Sequence, residues 1–325
     1  MKPLSKETLT RFQSLIALVV MVAFLSVRSD SFLTVSNGLT ILLQISVNLC
    51  LSIGMTLIIL TGGIDLSVGA ILALSGAVAA GLLKNGFTLV WLGVQLQFTP
   101  FGAILAGIGV GLALGWFNGT VITRFKLPPF VATLGMLSIA RGLTMLWTGG
   151  FPITGLGPKF GFMGAGFWLG VPMAVWICAG LVVLFYLVSI HTTLGRYIYA
   201  VGGNEKSAAY SGLNVNRIKI WVYTLGGALA GMAGLLVTAR LDSATPNAGL
   251  GYELDSIAAV VIGGTSLSGG RGSVLGTALG CLIIGVLNNG LVLLDVTAFW
   301  QQVIKGVVIL LAVIIDKAGS KSERV

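Results

Sequence analysis

Charged residues are scarce in this chain, which has 19 Lys or Arg and 10 Asp or Glu among its 325 residues. They amount to 9% of the sequence, whereas soluble domains usually carry roughly a quarter. So few charges could not solvate a globule of this size, and 56% of the residues are hydrophobic. Apolar runs close to the thickness of a bilayer core recur along the chain. The composition therefore excludes an ordinary soluble protein and predicts a polytopic membrane protein.

Cysteine and histidine are also few, with three Cys and one His. Cys50, Cys178 and Cys281 each lie in an apolar run, which favours packing over a disulfide or a metal site. The stretch 202–207 (GGNEKS) looks superficially like a phosphate loop, but Glu205 and not glycine precedes its lysine, and no strand is predicted before it. The sequence contains no nucleophile elbow. We expect no catalytic residue, no metal and no cofactor.

The apolar runs predict an all-α fold, a transmembrane helical bundle of about ten spans. The first run follows a basic N-terminus without a clear cleavage site, so we interpret it as a retained span. The run 87–97 is too short to cross a bilayer and is expected at the interface. The ten predicted spans are 14–29, 38–60, 66–83, 101–123, 130–147, 170–190, 220–239, 255–267, 274–293 and 297–315.

Positive charges divide unequally between the two sides that ten spans define. Cytoplasmic loops of membrane proteins carry the excess of Lys and Arg, so the richer side predicts the cytoplasm and holds both termini. The poorer side has Arg28, Lys84, Lys159 and Arg240. The richer side has Lys2, Lys6, Arg11, Arg124, Lys126, Arg196, Lys206, Arg217, Lys219, Arg271, Lys317, Lys321 and Arg324.

One long polar segment, 191–219, interrupts the apolar sequence on that cytoplasmic side. Asn204 is a favourable helix N-cap, Glu205 suits the first turn, and Gly212 suits a left-handed stop. The segment therefore predicts a short helix that presents 206–210 at the surface. From composition alone, a solvated connecting loop is equally plausible.

Five polar residues recur every fourth position in the second predicted span: Thr40, Gln44, Asn48, Ser52 and Thr56. Such positions lie on one side of a helix. An uncharged polar stripe in a membrane helix either bonds neighbouring helices or lines a wet path. As a path, it suits a neutral, hydroxyl-rich solute better than an ion.

Two glycine-rich segments, 61–70 and 262–276, share the pattern GG-x-x-L-S-x-G. Each is expected to form a tight turn or a broken helix, which membrane proteins tolerate where the backbone packs in protein or faces a cavity. Asp65 is interpreted first as an interfacial cap of the helix that follows, because an acid at the bilayer centre is costly. Glycines every four residues from Gly107 to Gly119 instead predict close helix packing.

Two basic residues, Arg141 and Lys305, fall inside predicted spans. Long basic side chains near helix ends extend to the interface, and this snorkelling is the first expectation for both. Asn288 and Asn289 form a polar pair in the ninth span, for which packing and a pathway role remain equally open.

Three long segments, 54–80, 194–220 and 251–280, resemble the permease subunits of bacterial ABC sugar importers, in particular those of the ribose type. The resemblance extends over nearly the whole chain. It implies the ABC importer permease fold, one transmembrane permease domain over 1–325, and a place in the bacterial inner membrane. The implied partners are an ABC ATPase subunit, a periplasmic sugar-binding protein, a second copy of the chain and membrane lipid, with no nucleic acid.

The resemblance also implies a role for the polar segment, since importer permeases dock a coupling helix with the pattern E-A-A-x-x-x-G into the ATPase. Lys206, Ser207, Ala208 and Gly212 occupy these positions, so the acid and the first alanine are replaced. The expected coupling residues are Asn204, Glu205, Lys206, Ser207, Ala208, Ala209 and Gly212.

The expected function is import of a monosaccharide, with D-ribose first, through a pathway lined by Gln44, Asn48 and Ser52. The expected gates are the glycine-rich turns, at Gly62, Gly63, Asp65, Gly263 and Gly264. Outward loops near 151–167 and 242–255 are expected to receive the binding protein. The alternatives are an ion-gradient-driven secondary transporter of a small neutral solute, and a structural or signalling membrane protein.

Overall fold

The computed structural model describes residues 6–89 and 93–321, with the side chains of 14–88 and 93–314. Helices dominate these ranges, in agreement with the all-α prediction. In chain order they are α1 (Lys6–Arg28), α2 (Val35–Leu60), α3 (Val68–Asn85), α4 (Pro100–Arg124), α5 (Pro129–Thr148), α6 (Pro158–Ala165), α7 (Met173–His191), α8 (Thr193–Gly203), α9 (Glu205–Tyr210), α10 (Val215–Leu241), α11 (Tyr252–Ile262), α12 (Val274–Leu293) and α13 (Ala298–Lys321).

Short strands form three antiparallel pairs in the described ranges. β1 (Phe87–Leu89) pairs with β2 (Val94–Leu96), β3 (Ile153–Thr154) with β6 (Ser243–Ala244), and β4 (Phe167–Trp168) with β5 (Val171–Pro172). The run 87–97 therefore contains the two strands of a hairpin. It is too short to be a span, as its length predicted.

Local capping sets where several helices begin and end. The Thr34 hydroxyl accepts a hydrogen bond from the Asn37 backbone N–H at 3.3 Å, ahead of α2. Ser273 caps α12 in the same way, with Gly276 N–H as the donor at 3.0 Å. Gly149 ends α5 in the left-handed conformation, which a residue without Cβ adopts easily. These boundaries follow from residues within a few positions of each helix end.

Seven described helices are long and apolar enough to cross a membrane: α2, α3, α4, α5, α7, α10 and α12. Helices α1 and α13 contain shorter apolar stretches, 14–28 and 298–314, at the positions of the first and last predicted spans. Helix α11 has 11 residues and is too short to cross a bilayer alone. The ten predicted apolar segments thus all contain helix, and the eighth is the one that falls clearly short of a span.

The described chain divides into two compact units. Unit 1 comprises 1–62, 181–213 and 254–325. In it, α12 packs against α1 and α2, around a core that includes Leu25, Ile45, Cys281 and Ile284. Two of the three cysteines, Cys50 and Cys281, are fully buried in unit 1 without a disulfide, which agrees with the packing role predicted for them.

Unit 2 comprises 63–180 and 214–253. Its helices α4 and α10 cross along a seam of glycines, and α3 packs against both. A Cβ added at Gly111 would collide with the backbone carbonyl of Gly227, and one added at Gly227 with that of Gly111. The close packing predicted from glycines four residues apart is therefore confirmed, because the two backbones touch where both side chains are missing.

Candidate functional site

Helix α9 forms where the polar segment predicts it. The Asn204 side-chain oxygen accepts a hydrogen bond from the Ser207 backbone N–H at 3.0 Å. Glu205 occupies the first turn, where the helix dipole favours a carboxylate. Gly212 is left-handed, with φ +85°, and the next N–H, of Leu213, donates to the Ala208 carbonyl at 3.1 Å. The predicted cap, first turn and stop are all confirmed.

The exposed face of α9 differs from the one expected. Ala208 is only 6% exposed and faces inward, so its predicted place on the presented surface is wrong. Lys206, Ser207 and Ala209 are exposed, and Tyr210 is 90% exposed. The exposure of Tyr210 confirms its predicted place on the presented surface. Its ring is a further candidate contact, which the expected coupling residues do not include because the coupling pattern leaves that position unspecified.

Within unit 1, residues 191–213 of the polar segment contact the rest of the unit through α8. A Cβ at Gly202 would overlap the carbonyl of Leu60, the last residue of α2. Gly270 N–H donates to that same carbonyl at 3.0 Å, and the Tyr199 hydroxyl donates to the Gly272 carbonyl at 2.9 Å. Helix α8, the end of α2 and the second glycine-rich turn therefore meet backbone to backbone. Helix α8 is thus in direct contact with the end of the helix that carries the polar stripe.

The polar stripe of α2 runs from exposed to buried. Thr40 and Gln44 are exposed, Asn48 is half-buried, and Ser52 and Thr56 are fully buried. Thr56 bonds across to α12, with its hydroxyl 2.6 Å from that of Thr277, so the inner end of the stripe joins helices. Asn48 Oδ1 and Ser52 Oγ have no hydrogen-bond partner among the described residues. Buried polar atoms are normally paired, so these two acceptors are exceptions to that rule.

The two asparagines of α12 separate into different roles. Asn289 and Asn37 exchange two amide hydrogen bonds, at 2.8 and 3.1 Å, which explains Asn289 as a packing residue. Asn288 Oδ1 is buried and has no partner within the described part of the chain. The structure therefore assigns Asn289 to packing, whereas for Asn288 a pathway role stays a prediction.

The two related glycine-rich segments share a side-chain turn. Asp65 Oδ1 accepts from the Ser67 backbone N–H at 2.8 Å, and Ser266 Oγ accepts from the Ser268 N–H at 3.3 Å. In both segments, therefore, a side-chain oxygen accepts a hydrogen bond from the backbone N–H two residues later. Gly62 and Gly264 both have positive φ, at +78° and +86°, and each allows the chain to turn sharply after a helix.

Asp65 is fully buried and contacts Ser67, the N-cap residue of α3, so its interfacial position stays a prediction. Its Oδ1 also accepts from the Ser67 hydroxyl at 2.6 Å, and that hydroxyl accepts from Asn118 Nδ2 at 3.0 Å. Its Oδ2 has no partner among the residues with described side chains. Asp65 lies in the segment between the spans α2 and α3, and burial raises the pKa of its carboxyl, only partly opposed by the bonds from Ser67.

Both basic side chains of the spans have polar partners in the protein. Arg141 Nη1 donates to the carbonyls of Pro246 and Ala248, at 2.6 and 2.9 Å. Lys305 Nζ lies 2.9 Å from Asp255 Oδ2. Both charges therefore have partners inside their own unit, and Arg141 holds part of the predicted outward loop 242–255.

Within the described residues, no group of three or more His, Cys, Asp or Glu could hold a metal ion.

Residues 37–313 match the family described as the permease component of the branched-chain amino acid transport system. The chain belongs to this permease family. The match covers most of the molecule, including the polar stripe, both glycine-rich turns and α9. The permease family inferred from the three sequence segments is thereby confirmed, and a subunit of this kind is not itself an enzyme.

Relatives of this permease match it nearly end to end. It is 48% identical over 316 residues to the ribose import permease protein RbsC of Escherichia coli (strain K12), covering 96% of this chain and 95% of that one. It is 49% identical over 308 residues to RbsC of Bacillus subtilis (strain 168), covering 94% and 92%. The D-allose transport system permease protein AlsC of Escherichia coli (strain K12) is 39% identical over 304 residues, covering 93% and 90%.

Among solved structures, the permease is similar to a metal-chelate type ABC transporter in an inward-facing conformation. That likeness has a TM-score of 0.45 and 17% identity, and covers 87% of this chain and 89% of the other.

Proposed function

We propose that this permease is the inner-membrane subunit of an ATP-driven ABC importer of a monosaccharide, with D-ribose as the first candidate. The observation that carries the proposal is the near full-length similarity, at 48% and 49% identity, to two proteins named as ribose import permeases. The D-allose relative is more distant, at 39%, which favours ribose. An uncharged polar stripe on α2 is the kind of surface that a neutral polyol can slide along.

The proposed partners follow from that assignment. An ABC ATPase subunit works from the cytoplasm, and a periplasmic binding protein delivers the sugar to the outward loops near 151–167 and 242–255. A second copy of the chain completes the pathway, and both termini lie in the cytoplasm, as the excess of Lys and Arg on that side supports. In this proposal 1–325 acts as one permease domain in contact with membrane lipid.

Coupling is assigned to the segment 191–219 through Asn204, Glu205, Lys206, Ser207, Ala208, Ala209 and Gly212. The exposed side chains of α9 contact the ATPase, whereas Asn204, Ala208 and Gly212 hold the helix in shape and in place. ATP binding moves α9, and α8 transmits the movement to the end of α2 because Gly202, Leu60 and Gly270 touch through their backbones. The sugar shifts the equilibrium through its different contacts in the outward and inward states.

The pathway is assigned to Gln44, Asn48 and Ser52. Gln44 is exposed, and the other two carry buried acceptor atoms without a partner in the described chain. The proposed gates are the turns at Gly62, Gly63, Asp65, Gly263 and Gly264. Gly62 and Gly264 have positive φ, a conformation that glycine adopts without strain.

The test is uptake of labelled D-ribose into proteoliposomes that contain the permease, its ATPase and its binding protein. We expect uptake that requires ATP and all three proteins. Uptake by the permease alone, driven by a proton or sodium gradient, would instead support the secondary transporter. ATP-driven uptake of another pentose or hexose, with none of ribose, would keep the importer and refute the substrate.

A further inference from the structure

A short β-hairpin of apolar residues, with a two-residue turn, precedes helix α7. Phe167 pairs with Pro172, and Trp168 pairs with Val171. The Met173 N–H donates to the Gly166 carbonyl at 2.7 Å and closes the base. The turn consists of Leu169 and Gly170, both with positive φ, at +51° and +76°. This loop projects as a compact, hydrogen-bonded element.

The residue at the tip is unusual for such a turn. Two-residue hairpins with positive φ at both positions favour Asn, Asp or Gly, because a branched apolar side chain is strained there. Leu169 is nevertheless left-handed and 76% exposed, with Phe167 and Trp168 exposed beside it. Contacts inside the protein explain neither the strained backbone nor the exposure of Leu169. An apolar environment outside the protein would offset the cost of both.

The hairpin is held rigidly against the first turn of α7. The rings of Trp168 and Trp176 meet edge to face, with centroids 5.2 Å apart. Trp176 Nε1 also donates to the Trp168 carbonyl at 3.1 Å. The tip is therefore fixed in place before any partner binds, which lowers the entropy that insertion into a surface would cost.

Helix α7 determines where this tip lies relative to lipid. It starts at Met173, directly after β5, and is the most apolar of the candidate spans, with most of its length not buried within the protein. Its 19 residues measure about 28 Å, close to the roughly 30 Å of a bilayer core. A span of this length has its N-terminal end at the edge of the hydrocarbon, which would place the preceding hairpin at the headgroup level.

The sequence around the hairpin carries no charge. From Phe160 to Ile190 there is no Asp, Glu, Lys, Arg or His; Lys159 and His191 are the nearest such residues. Docking sites for soluble proteins are surrounded by a polar rim, whereas tryptophan and aliphatic side chains without charge are typical of the membrane interface. These features favour lipid over the binding protein as the occupant of this surface.

We propose that residues 167–172 form a lipid anchor, which inserts Leu169 and the Trp168 ring into the boundary between headgroups and acyl chains at the N-terminal end of α7. The anchor fixes the position of that span end in the leaflet. The outward segment before it, including Lys159, stays in water.

The first test measures depth with a spin label at Leu169→Cys, in a permease whose native cysteines are replaced by serine and which still transports. The protein is placed in phospholipid nanodiscs with its ATPase. We expect the label to collide more with dissolved oxygen than with a water-soluble nickel chelate. A label at Lys159→Cys, the matched control, should show the reverse order. Strong exposure of position 169 to the chelate, or protection only after the binding protein is added, would overturn the proposal.

The second test uses Leu169→Asn, which suits a left-handed turn better than leucine. If the tip were simply in water, this change would relieve strain and raise the melting temperature in nanodiscs. If the hairpin is a lipid anchor, Leu169→Asn should instead lower the melting temperature, because the variant loses its contact with lipid. A raised melting temperature with unchanged transport would therefore refute it, independently of which sugar is carried.

Discussion

Whether a buried polar atom has a hydrogen-bond partner in the protein distinguishes residues that join helices from candidate solute-binding residues. Asn289 is fully engaged with Asn37, whereas Asn48 Oδ1 has no partner in the described structure. Because a buried polar group without a partner costs free energy, such an atom persists where a ligand or water uses it. The contrast turns the stripe on α2 into a testable pathway.

Replacing Asn48 by Leu should lower ribose flux several-fold while leaving the permease folded, because the change removes an acceptor that no protein group uses. Asn289→Leu is the matched control. It removes the donor to Asn37 Oδ1, whereas Asn37 Nδ2 still donates to the Phe32 carbonyl, and it should cost about 1–3 kcal/mol of stability. Both variants are compared by thermal unfolding and by uptake with all partners. Normal flux in a folded Asn48→Leu protein would contradict the lining role.

The ion pair between Lys305 and Asp255 allows a second prediction at the residue scale. The Lys305 side chain is 28% exposed and the Asp255 side chain 13%. Removing either charge leaves the other in a largely apolar setting, so Lys305→Met or Asp255→Leu should each cost about 1–3 kcal/mol. The double variant should cost less than the sum of the two, since neither charge is then left alone. Thermal unfolding of the four proteins measures this coupling. Additive effects would mean that the pair does not form.

At the scale of an element, α9 is a short helix with one buried and several exposed positions. Its cap and its stop hold the shape, and Ala208 is buried, so bulk at Ala208 would distort the helix and test folding instead of docking. Tyr210 offers a sharper probe because its ring contacts little of the permease.

Tyr210→Ser should therefore leave the fold intact and weaken ATPase association about tenfold or more, given the roughly 1.5–3 kcal/mol of a buried aromatic side chain. Tyr197→Ser on α8, where the ring is 40% exposed, is the matched control and should have the smaller effect. Co-purification with the ATPase and ATP-driven uptake measure both. Equal losses of ATPase association in the two variants would show that the Tyr210 ring is not the docking contact.

At the scale of the whole molecule, the chain returns to each of its two units after leaving it. Unit 1 gathers α1, α2, α8, α9, α12 and α13, so the predicted coupling helix α9 and the polar stripe share one compact unit although roughly 150 residues of sequence separate them. This arrangement supplies a short mechanical route from α9 to α2. Sequence spacing alone contains no sign of it.

The amino-acid sequence by itself determined the membrane class, the positions of the apolar helices, and the caps of α9, because apolar runs and capping residues act over a few neighbouring positions. Tertiary structure alone decided which polar groups are paired. Asn37 and Asn289 are 252 positions apart, and Arg141 reaches carbonyls more than 100 residues away. The burial of Asp65 and of Ala208, and the exposure of Leu169, depend in the same way on what packs beside them. Local patterns specify elements, whereas partners across the fold determine what each polar residue can still bind.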